Sequence, residues 1–69
     1  MFTLRLRNAE HVRQFLISRA NSLGWEVREE LDNQVVRTAR FFDWHKVERA
    51  RRKFEREVVA LRERGWVEG

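Results

Sequence analysis

Apolar packing alone must hold this chain together, because its 69 residues include no cysteine. No disulfide and no thiolate metal site can form. With only His11 and His45, a zinc site would also need carboxylate ligands. A hydrophobic fraction of 42%, with three Trp and five Phe, supplies enough apolar volume for one small core. We therefore expect a single domain over residues 1–69, near the lower size limit for folding without cross-links.

The sequence favours an intracellular, cytoplasmic protein without membrane contact. No apolar run approaches the roughly 18 residues of a membrane span. The first residues, Met-Phe-Thr-Leu-Arg-Leu-Arg, alternate in polarity and lack the apolar core of a secretory signal. The absence of cysteine agrees with this location.

The first third of the chain predicts a strand followed by a helix. Phe2, Leu4 and Leu6 alternate with polar residues, which is typical of a half-buried strand. Asn8 is a good N-cap for a helix over residues 9–23, and Gly24 suits its C-terminal end. The apolar face of this predicted helix consists of Val12, Phe15, Leu16, Ala20 and Leu23. Arg19 falls on this apolar face, where its stem would lie across the core edge with its charge in water, or where Glu29 would be its partner. Ile17 falls on the outer face, where it could mark a partner surface.

The middle of the chain predicts a hairpin of strands 25–31 and 35–41 around the turn Asp32-Asn33-Gln34. A three-residue loop predicts the opposed pairs Leu31–Val35, Glu29–Arg37, Val27–Ala39 and Trp25–Phe41. A two-residue loop would instead oppose Trp25 to Arg40 and Glu29 to Val36, which is a poorer match. The three-residue register is therefore expected.

A second helix is predicted after Asp43, a candidate N-cap. Its apolar stripe consists of Val47, Ala50, Phe54, Val58 and Leu61. Gly65 would end it, and Trp66-Val67 could start a short last strand. Because Gly-Trp follows both predicted helices, the order becomes β-α-β-β-α-β, an α+β fold of the ferredoxin-like, split βαβ type with both helices on one face. If the last strand is too short to pair, a three-stranded β-α-β-β-α fold is expected.

The charge pattern points to an anionic partner. The net charge is +4, and 13 of the 15 basic residues are Arg, whose planar fork suits phosphate. On the solvent face of the second helix, the sequence clusters the basic side chains Arg49, Arg52, Lys53 and Arg56. Two like-charge pairs at i,i+4 each cost this helix a few tenths of a kcal/mol, so the cluster indicates phosphate binding rather than stability. An Arg-biased composition with a merely solvated helix face is the alternative.

The predicted sheet offers a second, weaker surface. Arg5, Arg7 and Arg40 should point away from the helices and are secondary candidates for nucleic-acid contact. No aromatic residue of the first strand lies on that face, and the RNA-recognition signature is absent, so base stacking on the sheet is disfavoured. The acidic residues of strand 25–31 are expected at a sheet edge, where charge prevents unwanted pairing.

No catalytic, cofactor or metal residue can be assigned. Asp43, His45 and Glu48 lie close in sequence, but Asp-x-His at a helix start is common for capping alone. Gly-rich phosphate loops are absent. We therefore expect a small non-enzymatic protein that contacts the DNA or RNA backbone and has no small-molecule substrate. The alternative is a protein-protein interaction module, either a homodimer or an accessory subunit of a larger complex, without nucleic-acid contact.

Overall fold

One antiparallel sheet of five strands forms the frame of the computed structural model, which describes residues 2–20 and 24–69. The elements in chain order are β1 (Phe2–Asn8), β2 (His11–Arg19), β3 (Trp25–Leu31), β4 (Gln34–Phe41), α1 (Trp44–Glu63) and β5 (Val67–Glu68). The strand order in the sheet is β4-β3-β2-β1-β5. The first four strands thus form a meander, α1 covers one face, and β5 pairs with β1 at the far edge.

The strands and helix make an α+β protein, but the ferredoxin-like prediction is wrong. The segment predicted as a first helix over 9–23 forms β2, and residues 11–17 of this strand pair with the whole of β1. A two-residue turn, Ala9-Glu10, joins these strands, and Ala9 takes a φ of 54°. Residues 21–23, the end of that predicted helix, lie outside the described residues. The three-stranded alternative needed the same helix and is also wrong.

The pattern of buried side chains explains why β2 is a strand. Phe15 is fully buried and Ile17 is 3% exposed, so two residues spaced by two positions face the core. A helix would have turned Ile17 away from it. The helical spacing of Val12, Phe15 and Leu16 is real, but pairing with β1 and β3 on both sides outweighs this local preference.

The predicted register of the β3–β4 hairpin is confirmed over most of its length. The confirmed pairs are Trp25–Phe41, Val27–Ala39 and Glu29–Arg37. The loop is different, because Asp32 and Asn33 form a two-residue turn with φ of 53° and 68°. Leu31 therefore pairs with Gln34, and the predicted Leu31–Val35 pair is wrong. A bulge in β4 at Val36 absorbs the extra residue.

Helix α1 begins where the sequence predicts. The carboxylate of Asp43 accepts a hydrogen bond from the backbone N–H of His45 at 2.9 Å, which confirms the N-cap. Gly65, with a φ of 99°, follows the last turn and redirects the chain toward β5. Val67 and Glu68 then pair with β1, and the Gly69 N–H donates a hydrogen bond to the Arg5 carbonyl at 3.2 Å, so the predicted last strand is present but short.

The core lies between α1 and the middle of the sheet. Its buried apolar residues are Leu6, Phe15, Ile17, Val27, Val47, Phe54 and Val58. At its centre the rings of Phe15 and Phe54 are 4.7 Å apart, which joins β2 to α1. The inward face of β4 contributes only the half-buried Ala39 and Phe41. Helix α1 therefore covers the sheet incompletely at its β4 edge.

Candidate nucleic-acid interface

The outer face of α1 carries a continuous row of exposed cations, here called the basic stripe. It consists of Lys46, Arg49, Arg52, Lys53 and Arg56. Spacings of three and four residues place them on one side of the helix, away from the buried Val47, Phe54 and Val58. The structure thus brings together all four helical residues that the sequence predicted, and Lys46 extends the row by one turn.

The acidic residues of α1 do not neutralise the basic stripe, because most are engaged elsewhere. Glu48 and Glu55 both approach Arg51, at 4.0 and 3.7 Å, and Glu57 accepts a hydrogen bond from Arg37 of β4 at 2.9 Å. Among the described residues, no carboxylate lies within 4.0 Å of a basic-stripe nitrogen. The stripe therefore keeps its positive charge available for an external anion.

A second group of arginines forms ion pairs with acidic residues of the protein itself. The carboxylate of Glu29, only 5% exposed, accepts hydrogen bonds from Arg13 of β2 and Arg37 of β4. Partial burial lowers the pKa of Arg37, but its bonds to Glu57 and the charge of Glu29 outweigh this and raise the pKa overall. The suggested partner of Glu29, Arg19, is displaced because β2 as a strand brings Arg13 to that place.

An apolar groove opens beside the basic stripe, between α1 and β4, with a volume of about 480 Å³. Its floor is formed by Val27, Ala39, Phe41, Ala50 and Phe54, and its rim by Arg37, Lys46, Arg49 and Lys53. Sequence reasoning missed this groove. The sequence signal for the groove was alanine at Ala39 of β4 and Ala50 of α1. Both residues line the groove, and their small side chains leave room between helix and strand.

The sheet arginines lie on a different surface. Arg5, Arg7 and Arg40 occupy positions whose alternation places them on the face opposite α1, as predicted. Arg40 approaches Glu26 at 3.9 Å, whereas Arg5 and Arg7 have no carboxylate within 4.0 Å in the described part of the chain. These three arginines are therefore not part of the helical stripe and would need a separate ligand contact.

The acidic residues of β3 have a role other than the predicted one. β3 lies between β2 and β4, so the expectation that it forms a sheet edge is wrong. Its carboxylates pair with neighbouring arginines, for example Glu30 with Arg28 at 3.1 Å. The strand uses its negative charge for internal pairing rather than for edge protection.

One further polar contact joins the two turns at the same end of the sheet. His11 Nδ1 lies 2.8 Å from a carboxylate oxygen of Asp32, and the other oxygen accepts the Val12 N–H at 2.9 Å. The hydrogen bond to Asp32 raises the pKa of His11, and the same bond lowers the pKa of Asp32. Among the described residues, no three histidines or acids are grouped as a metal site.

Comparison of the chain with known protein families, with curated proteins and with solved structures gave no match. Over residues 2–20 and 24–69, no helix combines the length and the apolar character needed to cross a bilayer. The basic stripe and the adjoining groove are the features from which a function is argued.

Proposed function

We propose that this protein is a non-enzymatic, cytoplasmic nucleic-acid-binding protein whose basic stripe contacts the phosphate backbone. The observation that carries the proposal is the imbalance on α1. Five cations share one exposed face while Glu48, Glu55 and Glu57 pair with arginines outside it. A helix adapted only for stability would place those acids beside the stripe, since like charges at i,i+4 are unfavourable. A polyanion supplies the missing negative charge.

The dimensions of the basic stripe suit several consecutive phosphates. From Lys46 to Arg56 it extends about 15 Å along the helix axis at 1.5 Å per residue. Contacts of this kind attract and orient a strand without reading its sequence. If all five cations bind phosphate, the logarithm of affinity should fall with the logarithm of salt concentration with a slope of about −3.5 to −4.5.

Reversing the charge of the basic stripe should abolish binding. The variant Arg49→Glu, Arg52→Glu, Arg56→Glu is compared with wild type by fluorescence anisotropy on single- and double-stranded DNA and RNA across a salt series. We expect micromolar or tighter binding by the wild type at low salt and at least a tenfold loss in the variant, because three phosphate contacts become repulsive. Circular dichroism checks that the variant is folded.

The sheet face provides a control of equal charge. The variant Arg5→Glu, Arg7→Glu, Arg40→Glu changes the net charge by the same amount but leaves α1 intact. A smaller loss than in the helical variant assigns the main contact to α1 and a secondary one to these sheet arginines. An equal loss would mean that only total charge matters. Failure of the wild type to bind any of the four nucleic acids at low salt would refute the proposal.

The alternative, a protein-protein interaction module, is favoured by a separate observation. β4 is an open edge strand, and Val35, Val36 and Phe42 along and after it are 52%, 53% and 71% exposed. Apolar residues at an unpaired edge are typical of surfaces that receive another chain. Sedimentation velocity at two protein concentrations tests for a homodimer through this edge.

A further inference from the structure

We propose that the groove between α1 and β4 receives an unpaired nucleobase, so that the ligand of the basic stripe is single-stranded nucleic acid. This inference rests on the proposed function and specifies its ligand. A duplex keeps its bases stacked and paired, and would contact the stripe alone. A single strand can place phosphates on the stripe and a base in the groove.

The groove has the size and the lining that a base requires. Its volume of about 480 Å³ lies within the range of small-molecule sites. The floor is apolar and includes the ring of the half-buried Phe41. The guanidinium of Arg37 lies 5.5 Å from the centre of the Phe54 ring at the same site. Aromatic rings and arginine planes are the groups on which unpaired bases stack in proteins.

The two walls of the groove differ in charge, and this difference orients the ligand. On the β4 wall, Arg37 is neutralised by Glu29 and Glu57. On the helical wall, Lys46, Arg49 and Lys53 have no carboxylate within 4.0 Å among the described residues and belong to the basic stripe. The anionic part of a ligand therefore lies toward α1 and its apolar part toward β4. A nucleotide has this arrangement, with a phosphate on one side and an aromatic base on the other.

The extent of the basic stripe favours a polymer over a small anion. Arg52 and Arg56 belong to the stripe but do not line the groove. A single amphipathic molecule in the groove would leave these two cations without a ligand. A continuous phosphate backbone contacts them along the outer face of the helix while one of its bases enters the groove.

The test separates the base from the phosphate. Anisotropy is measured with a labelled oligothymidylate, with an abasic oligomer of the same length, and with a duplex. A peptide of alternating Glu and Phe with the same number of charges serves as the protein-like probe. We expect the normal single strand to bind about fivefold or more tightly than the abasic strand, which carries the same phosphates but cannot stack.

Filling the groove should remove this preference without changing any charge. The variant Ala39→Leu adds three carbons to a side chain that lines the groove, so the base is excluded while the basic stripe is unaltered. We expect the normal strand to bind this variant as weakly as the abasic strand does. Ala60→Leu is the matched control, because Ala60 is exposed on α1 and does not line the groove. Circular dichroism checks both folds.

The outcomes distinguish this inference from the proposed function. If normal and abasic strands bind with equal affinity, and Ala39→Leu changes neither affinity, the inference that the groove binds a base is overturned. Phosphate binding by the basic stripe would still stand. Absence of binding to every nucleic acid would instead refute the proposed function itself. Tighter binding of the Glu-Phe peptide than of the oligonucleotide, lost in Ala39→Leu, would assign the groove to an acidic protein and overturn the inference.

Discussion

The carboxylate of Glu29 lies in the layer of the sheet that faces α1, between Arg13 and Arg37. A buried acid is tolerated there because two guanidinium groups from the neighbouring strands satisfy it. This arrangement links β2, β3 and β4 by charge, and Arg37 continues it to Glu57 of α1. The same contacts neutralise the charges of two arginines, so they also shape the charge that a ligand meets.

Removing Glu29 should destabilise the fold. In Glu29→Ala, Arg13 and Arg37 lose their shared carboxylate while Arg13 stays largely covered, and we expect a loss of about 3 kcal/mol in the free energy of unfolding. Urea denaturation measures it. Glu30→Ala is the control, because Glu30 pairs with Arg28 on the open face of the sheet and should cost less than about 1 kcal/mol. Equal losses in the two variants would contradict a special role for Glu29.

The contact of His11 with Asp32 should make stability depend weakly on pH. The pKa of His11 is raised above 6.5, so its contribution is fully present below pH 6.5 and is lost as the pH rises through the raised value. The pKa of Asp32 is lowered below 3.8, so its contribution is present above pH 3.8 and is lost as the pH falls through the lowered value. The contact therefore stabilises most between these limits.

Proton NMR titration of the imidazole tests this contact. We expect His11 to titrate above pH 6.5 in the wild type and to return toward 6.5 in Asp32→Asn, which keeps an oxygen for the Val12 N–H but removes the charge. A His45→Gln variant assigns the two imidazole signals. An unchanged His11 titration in Asp32→Asn would contradict the contact.

Helices and strands that depend on contacts between residues close in sequence were predicted correctly, and those that depend on contacts between distant residues were not. Three features depend on residues close in sequence, and the sequence predicts them correctly. They are the alternation of β1, the N-cap and apolar stripe of α1, and most of the β3–β4 register. β2 depends on two partner strands, and its residues carry both a helical and an alternating pattern. The available local sign of the strand is Ile17, which falls on the outer face of the predicted helix, but an apolar residue there also suits a partner surface. The topology cannot be derived from the sequence unless β2 is predicted as a strand.

One part of the candidate site, the basic stripe, could be predicted from the sequence, and the other part, the groove, could not. The basic stripe lies on one helix, where a fixed angle per residue places its side chains without knowledge of the rest of the fold. The same angle places Lys46 beside the four predicted cations. The groove depends on where α1 crosses the sheet and on how far β4 extends beyond it. A single-element surface was therefore predictable, and a cavity between two elements was not.

At the scale of the whole molecule, stability depends on few buried side chains. A domain of this size has a margin of only about 3–5 kcal/mol. Phe54 packs against Phe15 at the centre of the core, and Phe54→Ala should cost about 3–5 kcal/mol. We expect this variant to be largely unfolded at 37 °C by circular dichroism. The control Val59→Ala, at an exposed position of α1, should change the free energy of unfolding by less than about 0.5 kcal/mol. Equal melting temperatures of the two variants would contradict the central place of Phe54 in the core.

The bulge at Val36 has a consequence for how this sequence can change in length. Because strand faces alternate, losing or gaining one residue elsewhere in β4 would turn every side chain beyond that point to the wrong face, with Arg37 and Ala39 among them. At Val36 the chain already holds one residue more than its partner strand, between Glu29–Arg37 and Glu30–Val35. Deleting Val36 leaves both neighbouring pairs in place and makes the hairpin regular. Natural variation in the length of β4 should therefore concentrate at this one position.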